Sequence, residues 1–200
     1  MGKNVLMVFA HCDDELVCGW PILQNLKINK TLILASSDRY NNERSWCRHR
    51  KFVTEDLCRD LNIKVKILDY SSNFYKINHR DGGLIDFENA VLREISGVSF
   101  DYIFTHNPHG EYGHLDHVFL SNLIFKAVDA PLIFSDITLA ADWTAQNPKS
   151  KRYDKIFFHD KIETVALDGR FYERTVQFYE SRGVWTWNQR PNESASLYQV

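Results

Sequence analysis

Short runs of aliphatic and β-branched residues alternate along this chain with longer segments whose apolar residues recur at helical spacing. The short runs are bounded by polar residues, as is typical of strands buried on both faces of a parallel sheet. They predict strands over residues 5–9, 31–35, 65–68, 101–105 and 131–134, with a less regular sixth at 155–158. The segments between and after them predict helices over residues 15–27, 44–61, 86–95, 118–128 and 171–179. This alternation predicts an α/β fold built on a mostly parallel sheet covered by helices.

Three segments make the prediction more specific. Pro21 interrupts the first predicted helix and should bend or split it. The residues of that helix expected to face the sheet are Leu16, Ile22, Leu23 and Leu26. The residues expected to form the inner face of the second helix are Phe52, Val53, Leu57 and Leu61. Residues 70–84 predict a long loop with Gly82 and Gly83, well suited to cover a substrate.

Composition and charge narrow the class of protein. The length of 200 residues favours one domain over residues 1–200, with a motif-bearing core over about 4–135 and a C-terminal tail over about 151–200 packed on it. A net charge of −2 gives no sign of the basic surface that binds nucleic acid. No apolar run reaches the length of a membrane span. The four cysteines form no CxxC pair, which predicts reduced thiols and a cytoplasmic location.

Two clusters of histidines and acids directly follow predicted strands. The first is the run AHCDDE at residues 10–15, and the second, residues 106–117, holds four of the eight histidines. Ligands in open α/β sheets bind outside the carboxyl ends of the strands, so both clusters are expected in one crevice. Helix capping and the helix dipole explain one or two of the acids but not His11. Because buried charge must be compensated, a divalent cation is the simplest candidate.

The spacing within the clusters suits a metal site. His114 and His117 are three residues apart, so at the start of a helix they share a face. Catalytic zinc commonly has three protein ligands from histidine and carboxylate, with one position left for water. His11 and Asp14 with one histidine of the second cluster meet this requirement. The sequence therefore predicts one divalent ion per chain, zinc or another metal.

These motifs resemble the signatures of the PIG-L/LmbE-like de-N-acetylases. The run AHCDDE resembles their AHPDDE motif, and His114-Leu115-Asp116-His117 resembles their HxDH motif, in the same order and each after a strand. The resemblance covers about residues 4–130. It implies a Rossmann-like three-layer fold and zinc-dependent hydrolysis of an N-acetyl group, usually on a glucosamine unit. The expected partner is therefore a small molecule or glycan that carries an N-acetylated amino sugar, while self-association into a homo-oligomer stays open.

The resemblance also implies roles for single residues. The zinc ligands correspond to His11, Asp14 and His117. Asp13 resembles the general base, His114 the residue that stabilises or protonates the reacting centre, and Tyr112 a tyrosine that helps to hold the oxyanion. Asp116 corresponds to an orienting group among the catalytic residues. The departing amine needs a proton, and either His114 or protonated Asp13 can supply it.

The substrate-binding residues match the family less closely. The proline of AHPDDE is Cys12 here, and its side chain is expected to point away from the metal. Leu61-Asn62 stands where the family has a Leu-Gly pair, and counting back from it suggests Arg50 as the substrate-contacting arginine. Arg48 is close enough to take its place, and Asp69, at the end of the third strand, is a further candidate.

Two tryptophans of the tail leave a choice between two roles. Trp185 and Trp187 lie beside a predicted loop. Aromatic rings suit the apolar faces of sugars, so these indoles either stack on the substrate or anchor the tail to the core.

Two other functions fit parts of the pattern. A catalytically silent sugar-binding relative would keep the same residues without turnover. A receiver-type signalling domain would combine the paired acids with Asp69 and Thr105 and bind magnesium, but His11 and the two histidines of the HxDH motif argue against it.

Overall fold

The computed structural model of the chain describes residues 2–37, 45–77, 83–137, 160–187 and 191–199, with side chains in the second range from residue 49 onward. Its strands are β1 (Asn4–Phe9), β2 (Asn29–Ser36), β3 (Lys64–Tyr70), β4 (Tyr102–Thr105), β5 (Leu132–Ser135), β6 (Asp160–Ala166) and β7 (Ser194–Gln199). They form one sheet in the order β3-β2-β1-β4-β5-β7-β6. Strands β1 to β5 are parallel, and β7 pairs antiparallel with both β5 and β6. The predicted α/β fold with a mostly parallel sheet is confirmed.

The described helices connect these strands and cover the sheet. They are α1 (Asp14–Val17), α2 (Trp20–Leu23), α3 (Ser45–Asp60), α4 (Gly83–Ser96), α5 (Gly110–Gly113), α6 (Leu115–Ala127) and α7 (Gly169–Glu180). A single 3₁₀ turn, Phe74–Lys76, follows β3. None of the described helices combines the length and the apolarity that crossing a membrane would require.

Strand β1 lies inside the sheet between β2 and β4, and both of its faces are apolar. Successive side chains of a strand point to opposite faces, so two separate cores form on the two sides of the sheet. On one side Val5, Met7 and Phe9 pack with residues of α3 and α7. On the other side Leu6, Val8 and Ala10 pack with residues of α4 and α6. The result is a three-layer arrangement in which the loop after β1 leaves from the middle of the sheet.

The strand order reverses beside β1. The chain passes from β1 outward to β2 and β3, then returns to place β4 on the other side of β1. At such a switch point the loops after the two neighbouring strands diverge and leave a crevice at the carboxyl ends. The two histidine-containing clusters follow β1 and β4, so the topology brings both to this crevice.

The first predicted helix is split and shorter than predicted. The break lies at Gly19, where a Cβ would come within 2.6 Å of the carbonyl oxygen of Glu15. Pro21 stands in the first turn of α2, where its missing N–H costs no helical hydrogen bond. Because α2 ends at Leu23, Leu26 lies beyond the helix and is 70% exposed, so its predicted contact with the sheet is wrong.

The inner face of α3 is also rotated from the prediction. Val53 and Leu57 are buried as expected, but Phe52 is 60% exposed. Thr54 and Cys58 are buried instead, which places the inner face on the side of the helix away from Phe52. At about 100° per residue, these four buried side chains cluster on one side of the helix, and Phe52 points to the opposite side.

The tail completes the sheet by two strands, β6 and β7, that the sequence pattern did not predict. Strand β7 inserts between β5 and β6, and of its residues only Ala195 and Leu197 are buried. So weak an alternation carries little strand signal. The predicted helix over 171–179 is confirmed as α7, whereas the predicted strand over 155–158 and Gly82 lie outside the described residues.

Candidate active site

The loop after β1 turns sharply at Asp13. This residue has a φ of 100°, a left-handed conformation that costs a non-glycine residue about 1–3 kcal/mol. The amide N–H of Asp13 donates to Oε2 of Glu15 at 3.0 Å, and the hydroxyl of Tyr179 donates to Oε1 of the same carboxyl group. Burial raises the pKa of Glu15 to about 7. Glu15 therefore supports the strained turn and ties it to α7.

The loop between β4 and α6 holds the second cluster in a conformation that depends on glycine. Gly110 and Glu111 have positive φ values of 68° and 57°. A Cβ on Gly110 would lie 2.9 Å from Cγ2 of Val118, so no other residue fits there without a shift. The side-chain oxygen of Asn107 accepts from the amide N–H of Glu111 at 3.1 Å. This contact holds the loop so that Glu111 points inward.

Three ligand-type atoms from the two loops converge in the crevice. Nδ1 of His11 lies 3.3 Å from Oδ2 of Asp14 and 3.3 Å from Nε2 of His117, and the last two atoms are 3.4 Å apart. A tetrahedral zinc ion with bonds of about 2.0–2.1 Å separates its ligand atoms by about 3.3–3.4 Å. All three residues are buried. We call these three atoms the donor triangle.

His11 and His117 each have one ring nitrogen in the donor triangle and one outside it. The contacts of these outer nitrogens show where the ring protons lie. Nε2 of His11 is 3.0 Å from Oδ2 of Asp116, and Nδ1 of His117 is 2.7 Å from Oε2 of Glu111. A carboxylate only accepts, so in the neutral rings these outer nitrogens carry the protons. The inner nitrogens then direct lone pairs at each other and at the Asp14 carboxylate. A cation bound between these atoms removes their mutual repulsion, so the donor triangle fits a divalent metal ion.

Glu111 is a site residue that the sequence analysis missed. Its Oε2 accepts from His117 and from Nδ1 of His106 at 3.0 Å, and its Oε1 accepts from the amide of Asn107 at 3.0 Å. Burial raises the pKa of Glu111, but the adjacent rings of His106 and His117 outweigh burial and lower it to about 2. Burial and the His106 ring lower the pKa of His117 to about 4, so this ring is neutral at pH 7. The sequence feature that could have identified Glu111 is the presence of an acid within the histidine-rich run after β4.

Replacing Glu111 tests its contact with His117. Glu111→Gln is expected to weaken metal binding by about 10- to 100-fold, the range for lost outer partners of metal ligands. The reason is that Gln is neutral and has one acceptor oxygen, so the negative charge beside His117 is lost and the NH₂ group would face at least one of the three N–H donors. Competition with a chromophoric chelator measures the affinity. Glu94→Gln on the surface of α4 is the matched control, and equal affinities in a folded Glu111→Gln protein would contradict the assignment.

Asp116 links the site to the turn after β3. Besides contacting His11, its carboxylate accepts from the amides of Asn73 at 2.6 Å and Tyr75 at 3.1 Å. Burial would raise the pKa of Asp116, but the hydrogen bond from His11 and these amide contacts lower it. Asp116 thus lies where an orienting group for His11 would stand.

His114 and Tyr112 border the donor triangle. Nδ1 of His114 accepts from the amide of Asp116 at 3.2 Å and caps α6, so Nε2 carries the proton of the neutral ring. The ring stacks on His117 with a centroid distance of 4.5 Å, as expected for two residues on one helical face. Burial and the proximity of His11 lower the pKa of His114. The Tyr112 ring lies 5.4 Å from that of His117.

Asp13 belongs to the same crevice but stands outside the donor triangle. Its Oδ2 lies 2.9 Å from Nη1 of Arg50 and accepts from the indole N–H of Trp187 at 3.0 Å. Both Asp13 and Arg50 are buried. Arg50, predicted to bind substrate, therefore makes its described ion pair with the predicted general base. The sequence analysis did not anticipate either contact of Asp13.

The other predicted substrate residues lie farther out or are not described. The carboxylate of Asp69 is exposed and accepts from the Ser37 hydroxyl at 2.7 Å. The side chain of Arg48 lies outside the described residues. Cys12 is fully buried, with its thiol 3.7 Å from the Ser36 carbonyl oxygen on the core side of the loop. The hydroxyl of Thr105, named for the receiver alternative, donates to the Val8 carbonyl within the sheet.

Two further groups of possible ligands overlap the donor triangle. One joins His11 and His117 with His114, and the other joins Cys18, His106, Glu111 and His117, with one atom of each residue within 4.8 Å of the others. In the second group the contacts of Glu111 with both imidazoles are ordinary hydrogen bonds. The cysteine adds only a long contact from its thiol to Oδ1 of Asp14 at 3.9 Å. We therefore regard this second group as the support of His117 rather than a separate centre.

Comparisons with known proteins identify the family of this chain. The family model described as PIG-L: GlcNAc-PI de-N-acetylase matches residues 6–128. The uncharacterized protein L374 of Acanthamoeba polyphaga mimivirus is 30% identical over 138 residues, which are 65% of this chain and 60% of that protein. The present chain thus spans less than two thirds of the length of this curated relative.

Solved structures share the fold at low sequence identity. The zinc-inhibited form of teicoplanin deacetylase Orf2 matches with a TM-score of 0.63 and 10% identity over 99% of both chains. GalB, the 4-carboxy-2-hydroxymuconate hydratase from Pseudomonas putida KT2440, matches with a TM-score of 0.51 and 14% identity over 99% of this chain and 96% of that one. Because one fold carries both a deacetylase and a hydratase, the activity must be argued from the site.

Proposed function

The chain belongs to the PIG-L family, and from this premise we propose that it is a zinc-dependent hydrolase that removes the N-acetyl group from an N-acetylglucosamine-type conjugate. The products would be acetate and a free amine. The observation that carries the proposal is the donor triangle, in which three lone-pair-bearing atoms converge at 3.3–3.4 Å. The family's description names de-N-acetylation, and the metal and the particular conjugate are part of the proposal.

The residues of the donor triangle suit a catalytic zinc ion. Two imidazoles and one carboxylate are a common ligand set for such an ion and leave a fourth position for water. A cation held by His11, Asp14 and His117 would polarise the amide carbonyl and lower the pKa of a water molecule towards about 7. The proposal of a zinc ion is also compatible with the crystallisation of the structural neighbour Orf2 in a zinc-inhibited form.

Asp13 would act as the general base. It neighbours the proposed ligand Asp14 in sequence, and its carboxylate contacts Arg50 and Trp187. The buried guanidinium favours the ionised carboxylate, the form that can accept a proton from the attacking water. The two adjacent acids thereby take separate roles, one as ligand and one as base.

His114 and Tyr112 would act on the oxyanion and on the departing amine. Because Nδ1 of His114 accepts the helix-capping hydrogen bond, its Nε2–H is the group that can face the substrate. From there it can stabilise the developing oxyanion or give a proton to the departing amine. The Tyr112 hydroxyl is a second candidate donor to the oxyanion. These positions support His114 as the proton donor, with Asp13 after it has taken a proton as the alternative.

A substrate panel tests the proposal. The metal-loaded chain is expected to release amine and acetate in equal amounts from at least one N-acetylated sugar among small glycosides, nucleotide-linked and lipid-linked sugars and oligosaccharides. Chelation should abolish the release, and added zinc should restore it. Amine labelling and enzymatic acetate detection measure the two products independently.

Two results would contradict the proposal. Sugar binding by calorimetry without amine release from any member would favour a catalytically silent sugar-binding relative. Release that survives complete removal of the metal would exclude the metal-dependent mechanism while keeping the hydrolase.

A further inference from the structure

Residues 184–187, between α7 and β7, reach the loop that carries Asp13. They lie outside residues 6–128, the part that the family model matches. The indole Nε1–H of Trp187 donates to Oδ2 of Asp13 at 3.0 Å, across 174 positions of sequence. The half-buried indole packs edge-on against Tyr112 with a centroid distance of 5.5 Å. A segment of the tail is therefore part of the crevice wall.

The same segment reaches Asp13 a second time through Arg50. Nη2 of Arg50 donates to Oγ1 of Thr186 at 2.9 Å, while Nη1 lies 2.9 Å from Oδ2 of Asp13. Nη1 also donates to the carbonyl of Cys12 at 3.3 Å. Thr186 thus orients the guanidinium, and both charge-assisted contacts arrive on the same oxygen of Asp13.

The segment is itself fixed by α7. The amide of Val184 donates to the carbonyl of Tyr179 at 3.2 Å, and the Val184 side chain is 1% exposed. Gly183 closes the helix with a φ of 69°. Since the hydroxyl of Tyr179 also contacts Glu15, the end of α7 and the loop after β1 are joined by several contacts. Residues 184–187 are therefore placed by the core and not by Asp13 alone.

We propose that Trp187 is a positioning residue for the general base. A carboxylate can turn about its Cβ–Cγ bond, and the two donors that converge on Oδ2 hold its plane in one orientation. The proton of the attacking water is then taken by a carboxylate that is held in one orientation. The inference rests on the proposed function, and it extends the catalytic unit beyond the matched motifs to the C-terminal tail.

Trp187→Phe removes the N–H and keeps an aromatic ring against Tyr112. We expect kcat to fall by about 10- to 100-fold, the range for losing a hydrogen bond to a charged group. KM, bound zinc and thermal stability should stay near the wild-type values, since the ring packing and the donor triangle are retained. Trp185→Phe is the matched control. Its indole packs near the Tyr179 ring at 5.8 Å and the contact from Trp187 to Asp13 is kept, so kcat should fall much less than in Trp187→Phe.

A second measurement does not depend on turnover. In an NMR spectrum of the full chain labelled with nitrogen-15, the indole resonance that disappears in Trp187→Phe belongs to Trp187. In Asp13→Asn this indole proton should move upfield, because a neutral amide oxygen is a weaker acceptor than a carboxylate. The resonance assigned to Trp185 should stay in place.

Each result decides between the roles. An unchanged kcat in Trp187→Phe overturns the proposal, and a raised KM with unchanged kcat assigns the indole to sugar stacking instead. If Trp187→Phe fails to fold, the indole resonance is assigned through Trp187→Tyr instead. The proposal is then overturned if this resonance does not move in Asp13→Asn. If the wild type hydrolyses no substrate, the proposed function fails, and the indole shift still reports whether Trp187 holds Asp13.

Discussion

Asp13→Asn is expected to lower kcat for amide hydrolysis by about 10²- to 10⁴-fold, the contribution typical of general acid–base catalysis. An amide oxygen at this position cannot take a proton from water at neutral pH. Asparagine tolerates the left-handed conformation that the turn imposes, so the loop should keep its shape. The proposed ligand atoms belong to His11, Asp14 and His117, and bound metal should therefore stay near one ion per chain.

Metal analysis and steady-state kinetics on the same preparation measure this prediction. Asp56→Asn on the surface of α3 is the matched control, since that carboxylate contacts only the exposed Arg59 among the contacts described. Near-normal turnover in Asp13→Asn would mean that another group is the base. Loss of the metal in this variant would instead make Asp13 part of the ligand set.

The second large effect concerns the donor triangle. His117→Ala removes one of its three atoms and leaves the Glu111 carboxylate with one of its two imidazole partners. We expect the variant to purify with little or no bound metal. Because two protein ligands hold zinc far more weakly than three, activity should fall by at least about 10³-fold at substoichiometric zinc.

His109→Ala is the control for this loss. His109 lies in the same histidine-rich loop, and its amide donates to the side-chain oxygen of Asn107 at 3.0 Å. It should keep its metal. Full metal retention by His117→Ala would refute the ligand assignment. If the metal were also lost in Cys18→Ser, the buried group of Cys18, His106 and Glu111 would become the better candidate.

Much of the core could be predicted from the sequence because the signals are local. Strands β1, β2 and β4 are short runs of apolar residues buried on both faces, and such runs are easy to recognise. The wrong predictions concern apolar residues whose burial the local pattern does not determine. Leu26 and Phe52 are apolar residues near a helix end and on a helix flank, and their exposure depends on where α2 ends and how α3 is rotated.

The candidate site, like the core, has features that the sequence predicted and features that it did not. The sequence by itself determined that His11, Asp14 and His117 follow strands of one parallel sheet, and parallel strands place their carboxyl ends at one edge. Their chemical type suggested a metal without any coordinates. The spacing of His114 and His117 likewise predicted two rings on one face, as observed.

Only the tertiary structure decided how those residues are supported. The contact of Glu111 with His117 depends on two positive φ values in the loop, and no periodic pattern reports a backbone torsion. The hydrogen bond from Trp187 to Asp13 joins residues 174 positions apart through the packing of α7 against the core. Local periodicity records which face of an element is buried. The partner of a single polar side chain is chosen by the packing of distant elements, which leaves no trace in the order of nearby residues.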